Sequence, residues 1–130
     1  MQSTELKQPQ WHKLHFGPGE DIFQGLREFF QEKKFKQAFI LSSIGSLEKI
    51  TCNYPVVSTR MPPDIKGRTV EDFLEINGIN GEIWREEGRI RVHLHGSFTH
   101  EVDKLYGGGI ADGSARALVL VDMVVMGIPE

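Results

Sequence analysis

Arg89-Ile90-Arg91-Val92-His93-Leu94-His95-Gly96-Ser97-Phe98 alternates polar and apolar residues from Arg89 to His95. Ile90, Val92 and Leu94 fall on one side, and Arg91, His93 and His95 on the other. Residues two apart share a face of a β-strand, so this is the pattern of a strand with one apolar and one polar side. It also sets two imidazoles next to each other, about 6–7 Å apart at Cα by the rise of a strand. Side chains placed in this way can share one metal ion or one anionic ligand. The stretch therefore says that the chain is built on half-buried strands and that one of them carries a candidate site.

Upstream, Glu86-Glu87-Gly88 has the composition of a hairpin turn leading back into a second strand over Phe73–Trp84. Gly78 and Gly81 lie inside that strand and mark a bulge or a close approach of another backbone. Downstream, residues 99–115 read as a loop containing Tyr106-Gly107-Gly108-Gly109-Ile110-Ala111-Asp112-Gly113. Ala117–Met126 is apolar almost throughout, as expected of a strand covered on both sides, by the core and by another subunit.

Toward the N-terminus, Trp11–Phe16 alternates as a first strand and is broken by Gly17-Pro18-Gly19. A helix follows from about Asp21 to about Lys34. Glu20 and Asp21 suit its positive end, and Lys33 and Lys34 its negative end. Ile22, Leu26, Phe29 and Phe30 make its apolar stripe, flanked by Phe23. Ala38–Leu41 is a short buried strand ending in the small-residue turn Ser42–Ser46. Leu47–Tyr54 alternates again, and Pro55, Pro62 and Pro63 bracket an irregular stretch closed by Gly67. One helix among many strands with hairpin-length connections predicts an α+β fold: a mostly antiparallel β-sheet with one main helix packed on it. Residues 1–10 read as a flexible arm and 11–130 as a single domain.

The formal net charge of −3 and pI near 6.0 argue against a domain that is basic overall, the usual footprint of nucleic-acid binding. Lys33-Lys34-Phe35-Lys36 reads as a solvated helix end, and Glu86 and Glu87 offset Arg85, Arg89 and Arg91. Cys52 is the only cysteine, which excludes an intrachain disulfide and fits a reducing compartment. Its expected role is that of a small core hydrophobe. Met1–Gln10 lacks the apolar segment of a signal peptide, and no apolar run approaches the ~18 residues of a spanning helix, so the expected location is cytoplasmic.

Taken in order, Ser43-Ile44-Gly45-Ser46-Leu47, Phe73 through Gly81, His93-Leu94-His95 and Gly107-Gly108-x-Ile110-x-x-Gly113 resemble the PPC domain, also written PCC, found in plants and prokaryotes. The resemblance runs from roughly Phe16 to Val125. It implies an α+β fold that assembles as a homotrimer. Stand-alone prokaryotic members are described as predicted DNA-binding proteins. In plants the domain accompanies AT-hook motifs and mediates contacts between proteins. Some members carry a metal, typically zinc, on histidines near a subunit interface, in the pattern His-x-His followed by Gly-Gly-His-Leu. His93 and His95 match the first part, whereas Gly107-Gly108-Gly109-Ile110 has glycine where the third histidine would stand. Glu75 and Gly81 match the family's Glu and Gly in the preceding strand. No Arg-Gly-Arg-Pro AT-hook occurs in the chain, which removes the usual minor-groove contact.

Zinc takes three or four N, S or O ligands, so His93 and His95 supply half a site. His100, Asp112, Glu75, a water or a group from a second subunit would have to complete it. Otherwise both histidines hydrogen-bond neighbours in a polar pocket, and this is the favoured expectation. Glu75 is a candidate acid/base or ligand. The run Gly107–Gly109 lets the backbone approach a ligand and offer N–H groups to an anion, with Arg91 or Arg116 as a counter-charge. The candidate pocket is thus His93, His95, Glu75, Arg91, Gly107, Gly108 and Gly109, with His93 and His95 as the metal ligands if zinc is held. His12 and His15 fall on opposite faces of the first strand and do not chelate together. Ser97 near a histidine is commonplace, and the chain offers no convincing nucleophile–base pair. The sequence therefore favours a DNA-linked regulatory or protein-interaction module over a ligand-binding or metal-assisted enzyme using His93, His95 and Glu75.

Overall fold

A computed structural model describes residues 1–57 and 59–130. Ser58, inside the stretch read as irregular, lies outside the described residues. The strands are β1 (Gln10–Phe16), β2 (Phe35–Leu47), β3 (Ile50–Pro55), β4 (Ile65–Val70), β5 (Leu74–Glu86), β6 (Arg89–His100), β7 (Lys104–Ile110) and β8 (Ala117–Pro129), with α1 (Ile22–Lys33) between β1 and β2. They form one sheet in the order β1-β8-β2-β5-β6-β7-β3-β4, and every pairing is antiparallel. The α+β fold with a mostly antiparallel sheet and one helix is as expected. Among the described residues, no helix is long and apolar enough to cross a membrane.

The ends of α1 follow from local chemistry. Asp21 accepts a hydrogen bond from the Gln24 N–H at 3.0 Å, satisfying a donor that the first turn leaves free. Lys34 stops the helix in a left-handed conformation, and its N–H donates back to the Phe30 and Gln31 carbonyls. The buried face is Ile22, Phe23, Leu26 and Phe30; Phe29 is only partly buried and packs beside Phe35 and His12. The helix lies over β2, β6 and β8. Beneath it Ala38, Ile40, Ile83, Leu94, Phe98, Met123 and Val125 are buried, so this is the inner side of the sheet.

Three segments differ from the sequence reading. The Ser42–Ser46 turn is instead the continuation of β2, which is held by β5 on one side and β8 on the other. Register shifts at Ile40/Ser42 and Gly45/Leu47 absorb the small residues as irregularities within the strand. The 99–115 loop contains the end of β6 and all of β7, because pairing with β6 gives the glycine run a ladder to join. Part of the irregular stretch is β4, an edge strand whose residues are exposed except Val70.

The glycines of β5 behave as expected. The β5–β6 register shifts between Ile76 and Gly78, and a Cβ at Gly81 would stand 2.1 Å from the His93 carbonyl oxygen. A side chain at Gly81 would push apart the two strands that carry the candidate site.

The core covers only one side of β8. Val121, Met123 and Val125 are buried, whereas Val124 is exposed, as are Trp11 of β1 and Ile44 of β2. The register places Trp11, Ile44 and Val124 on the outer side, away from α1.

Candidate functional site

The β5–β6 hairpin builds the site. Its tight turn pairs Glu86 with Arg89, and this register carries down the ladder: Trp84 faces Arg91, Glu82 faces His93, and Asn80 faces His95. Directly opposed residues in an antiparallel pair share a face. The outer side of the hairpin is therefore a polar strip, while Ile83, Val92 and Leu94 point toward the core.

Within the strip the imidazoles turn toward each other. Their Nε2 atoms are 3.1 Å apart, and the rings meet nearly edge-on, with centroids 4.9 Å apart and planes at 74°. One Nε2 donates and the other accepts, which fixes complementary tautomers on the two rings. Two nitrogens bound tetrahedrally to one zinc at ~2.0–2.1 Å stand about 3.3–3.4 Å apart, so the pair is close to a chelating geometry. Trp84 packs edge-on to His93 at 6.4 Å. Glu82 is engaged by the Gln37 side-chain amide of β2.

β7 closes the other flank. Gly107, Gly108 and Gly109 pair with Ser97, Gly96 and His95. Their backbone serves the sheet, so they form a strand rather than a nest of free N–H groups. A Cβ at Gly109 would stand 3.6 Å from His95 Nε2 and 3.7 Å from the Asn53 Cβ, an ordinary contact. The position that lacks the third imidazole thus abuts the two that are present.

The other candidates are elsewhere. Glu75 faces Thr99, four residues beyond His95 and about 13 Å along the strand, and it borders a separate cavity with Phe73 and Val119. Arg91 shares the outer face with His93 but pairs with Glu86 at 3.5 Å. His100 Nδ1 lies 2.7 Å from the Phe73 carbonyl, and its Nε2 lies 3.5 Å from Glu101. Asp112 is bound to Arg27 of α1; that hydrogen bond, more than offsetting the cost of burial, holds the guanidinium above its ordinary pKa. Arg116 donates to the Gly19 carbonyl at 3.1 Å and lies near Asp21. Among the described residues, no three His, Cys, Asp or Glu side chains gather around a common point. A single chain offers two of the three or four ligands that zinc requires, so its residues do not fit a zinc site.

Two groups escaped the sequence reading. Glu82 could have been found by counting back from the hairpin turn, which sets it opposite His93. The other is a histidine–carboxylate pair on the outer side, His15 Nδ1 to Asp122 Oδ1 at 2.7 Å. Its signal was a single acid inside the apolar run 117–126. His12, as expected, faces the other way, edge-on to Phe29 at 5.1 Å.

The model of the Plants and Prokaryotes Conserved (PCC) domain family matches residues 3–129, and the chain belongs to that family. No protein with a curated description matches it. Among solved structures, it resembles a metal-containing protein of Archaeoglobus fulgidus with a TM-score of 0.84 at 21% identity, over 99% of this chain and 86% of the other. It resembles a plant- and prokaryote-conserved (PPC) protein of Pyrococcus horikoshii with a TM-score of 0.83 at 16% identity, over 100% of this chain and 86% of the other. A candidate DNA-binding protein of Bacteroides thetaiotaomicron aligns with a TM-score of 0.80 at 20% identity, over 92% and 80%. At these identities the likeness is one of fold.

Proposed function

We propose that this PCC-family chain is a regulatory or interaction module that works as a homotrimer and holds a polar ligand at its His93–His95 pair. One observation carries the reading: the sheet face that bears the imidazoles also exposes Trp11, Ile44 and Val124 to solvent. An apolar surface rimmed by polar groups is the usual mark of an interaction face. The trimer is the assembly that the resemblance implies, and copies of residues 11–130 packed through this face would bring the histidine strip to a subunit boundary. The residues ahead of β1 would remain an arm outside that contact.

The ligand we favour is a small polar or anionic group held by imidazole N–H donors, not a retained zinc ion. The net charge of −3 and the absence of an AT-hook speak against a strong direct grip on DNA. A role in DNA transactions, suggested by the DNA-binding candidate among its structural relatives, would run through partner proteins. An enzymatic reading has less support, since Glu75 stands about 13 Å along the strand from His95. The single reduced thiol of Cys52 suits a cytoplasmic setting.

Light scattering over a dilution series tests the proposal. The expected mass is three times the 14.7 kDa chain. A single-chain mass at every concentration would remove the subunit boundary and with it the proposed setting of the pocket.

A further inference from the structure

The far end of the sheet carries a second site of different chemistry. Cys52 and Tyr54 of β3 pair with Arg68 and Lys66 of β4, so all four lie on one side. Cys52 also pairs with Ile110 of β7, which faces the core. This is the inner side of the sheet, but α1 lies over β2, β6 and β8 and leaves this end open. A cavity of about 300 Å³ results, lined by Cys52, Tyr54, Arg68, Val70 and Tyr106 among others.

Its lining is divided by polarity. Cys52 and Val70, each 6% exposed, form an apolar floor. Burial pushes the Cys52 thiol above its ordinary pKa, so the floor is neutral. Tyr54 and Tyr106 add two aromatic rings to the lining. Arg68 closes the rim with its guanidinium carbon 5.9 Å from the centre of the Tyr106 ring. Arg27, Arg60, Arg85, Arg91 and Arg116 each face a carboxylate. Among the described residues Arg68 faces none, as is true of Arg89 at the β5–β6 turn and of Lys66 two places along the same edge. A guanidinium offers a planar fork of donors that matches a carboxylate, and here the protein leaves that fork unused.

We propose that this cavity binds a small aromatic carboxylate, its ring between Tyr54 and Tyr106 and its carboxylate on Arg68. The volume is at the lower end of the range for small-molecule sites, which suits a one-ring acid. An aromatic lining favours a flat ring, and the neutral floor rejects a charge at depth. The site is independent of the histidine strip, which lies on the opposite side of the sheet.

The test is a calorimetric and methyl-NMR titration of the full chain with phenylacetate, phenylacetamide, acetate and adenosine monophosphate. Phenylacetate is expected to bind in about the millimolar range or tighter and to shift the Val70 methyl signals. Phenylacetamide lacks the charge and acetate the ring, and each is expected to bind at least about tenfold more weakly. Arg68→Gln, at an exposed position, is expected to lose at least about tenfold in phenylacetate affinity. Unmoved Val70 signals, equal binding of the amide, or full affinity in Arg68→Gln would overturn the proposal. Tighter binding of adenosine monophosphate than of phenylacetate, lost in Arg68→Gln, would overturn the carboxylate class in favour of a nucleotide phosphate.

Discussion

The two sides of β6 belong to different economies of contact. Val92, Leu94 and Phe98 turn inward, and Leu94 and Phe98 are fully buried. His93 and His95, one residue away, are exposed on the outer side with Glu82 and Asn80 opposite. The inner side is closed by α1 within a single chain. The outer side, with Trp11, Ile44 and Val124 open to water, is not. The difference separates what makes the chain fold from what it presents to others, and substitutions on the two sides should fail in different ways.

The largest expected effect is on the inner side. Leu94→Ala should cost about 2–5 kcal/mol of stability in chemical denaturation, because it opens a cavity in the core. His95→Ala, its exposed neighbour, should stay within about 0.5 kcal/mol of the native chain. Equal losses would mean that the histidine strip is structural. A second pair of substitutions compares two glycines. Gly81→Ala drives a methyl into the His93 carbonyl and should cost about 1–3 kcal/mol, whereas Gly109→Ala makes only ordinary contacts and should cost well under half as much.

Gly109→His tests the outer side in the opposite direction. It places a third imidazole beside His95, so zinc measured after gel filtration should rise from well below one ion per chain toward one. Full occupancy in the unaltered chain would instead show that other groups complete the site.

The smallest effect concerns Cys52. Burial raises its pKa above the ordinary 9.0, so the folded state holds the proton longer than the unfolded one. The thiol's contribution is therefore fully present below pH 9.0 and is lost as pH rises through the folded value. Cys52→Ala should show a shallower decline in stability above that pH; an unchanged slope would assign the decline to other groups.

What the sequence made legible follows the same division. β6 and α1 were readable because alternation and capping are local signals, strong wherever one face is buried. β7 was not, since three glycines carry no side-chain pattern and only pairing with β6 makes them a strand. β4 was hidden for a related reason: at the sheet edge it buries only Val70. Ser42–Ser46 has turn composition, but β5 and β8 hold it extended from both sides. In the site, His93 and His95 were legible from their spacing. Glu82 needed the hairpin register, and the separation of Glu75 from the histidines needed the length of the ladder, which a family motif does not convey.

The central claim is that the outer side is an interface between copies of this chain. Sedimentation equilibrium of the native chain and of Ile44→Glu tests it most directly, since Ile44 is 62% exposed and its loss should leave the fold intact. The account predicts three chains per particle for the native protein and one for Ile44→Glu, with unchanged circular dichroism. A native monomer, or a trimer that survives the glutamate, would contradict it.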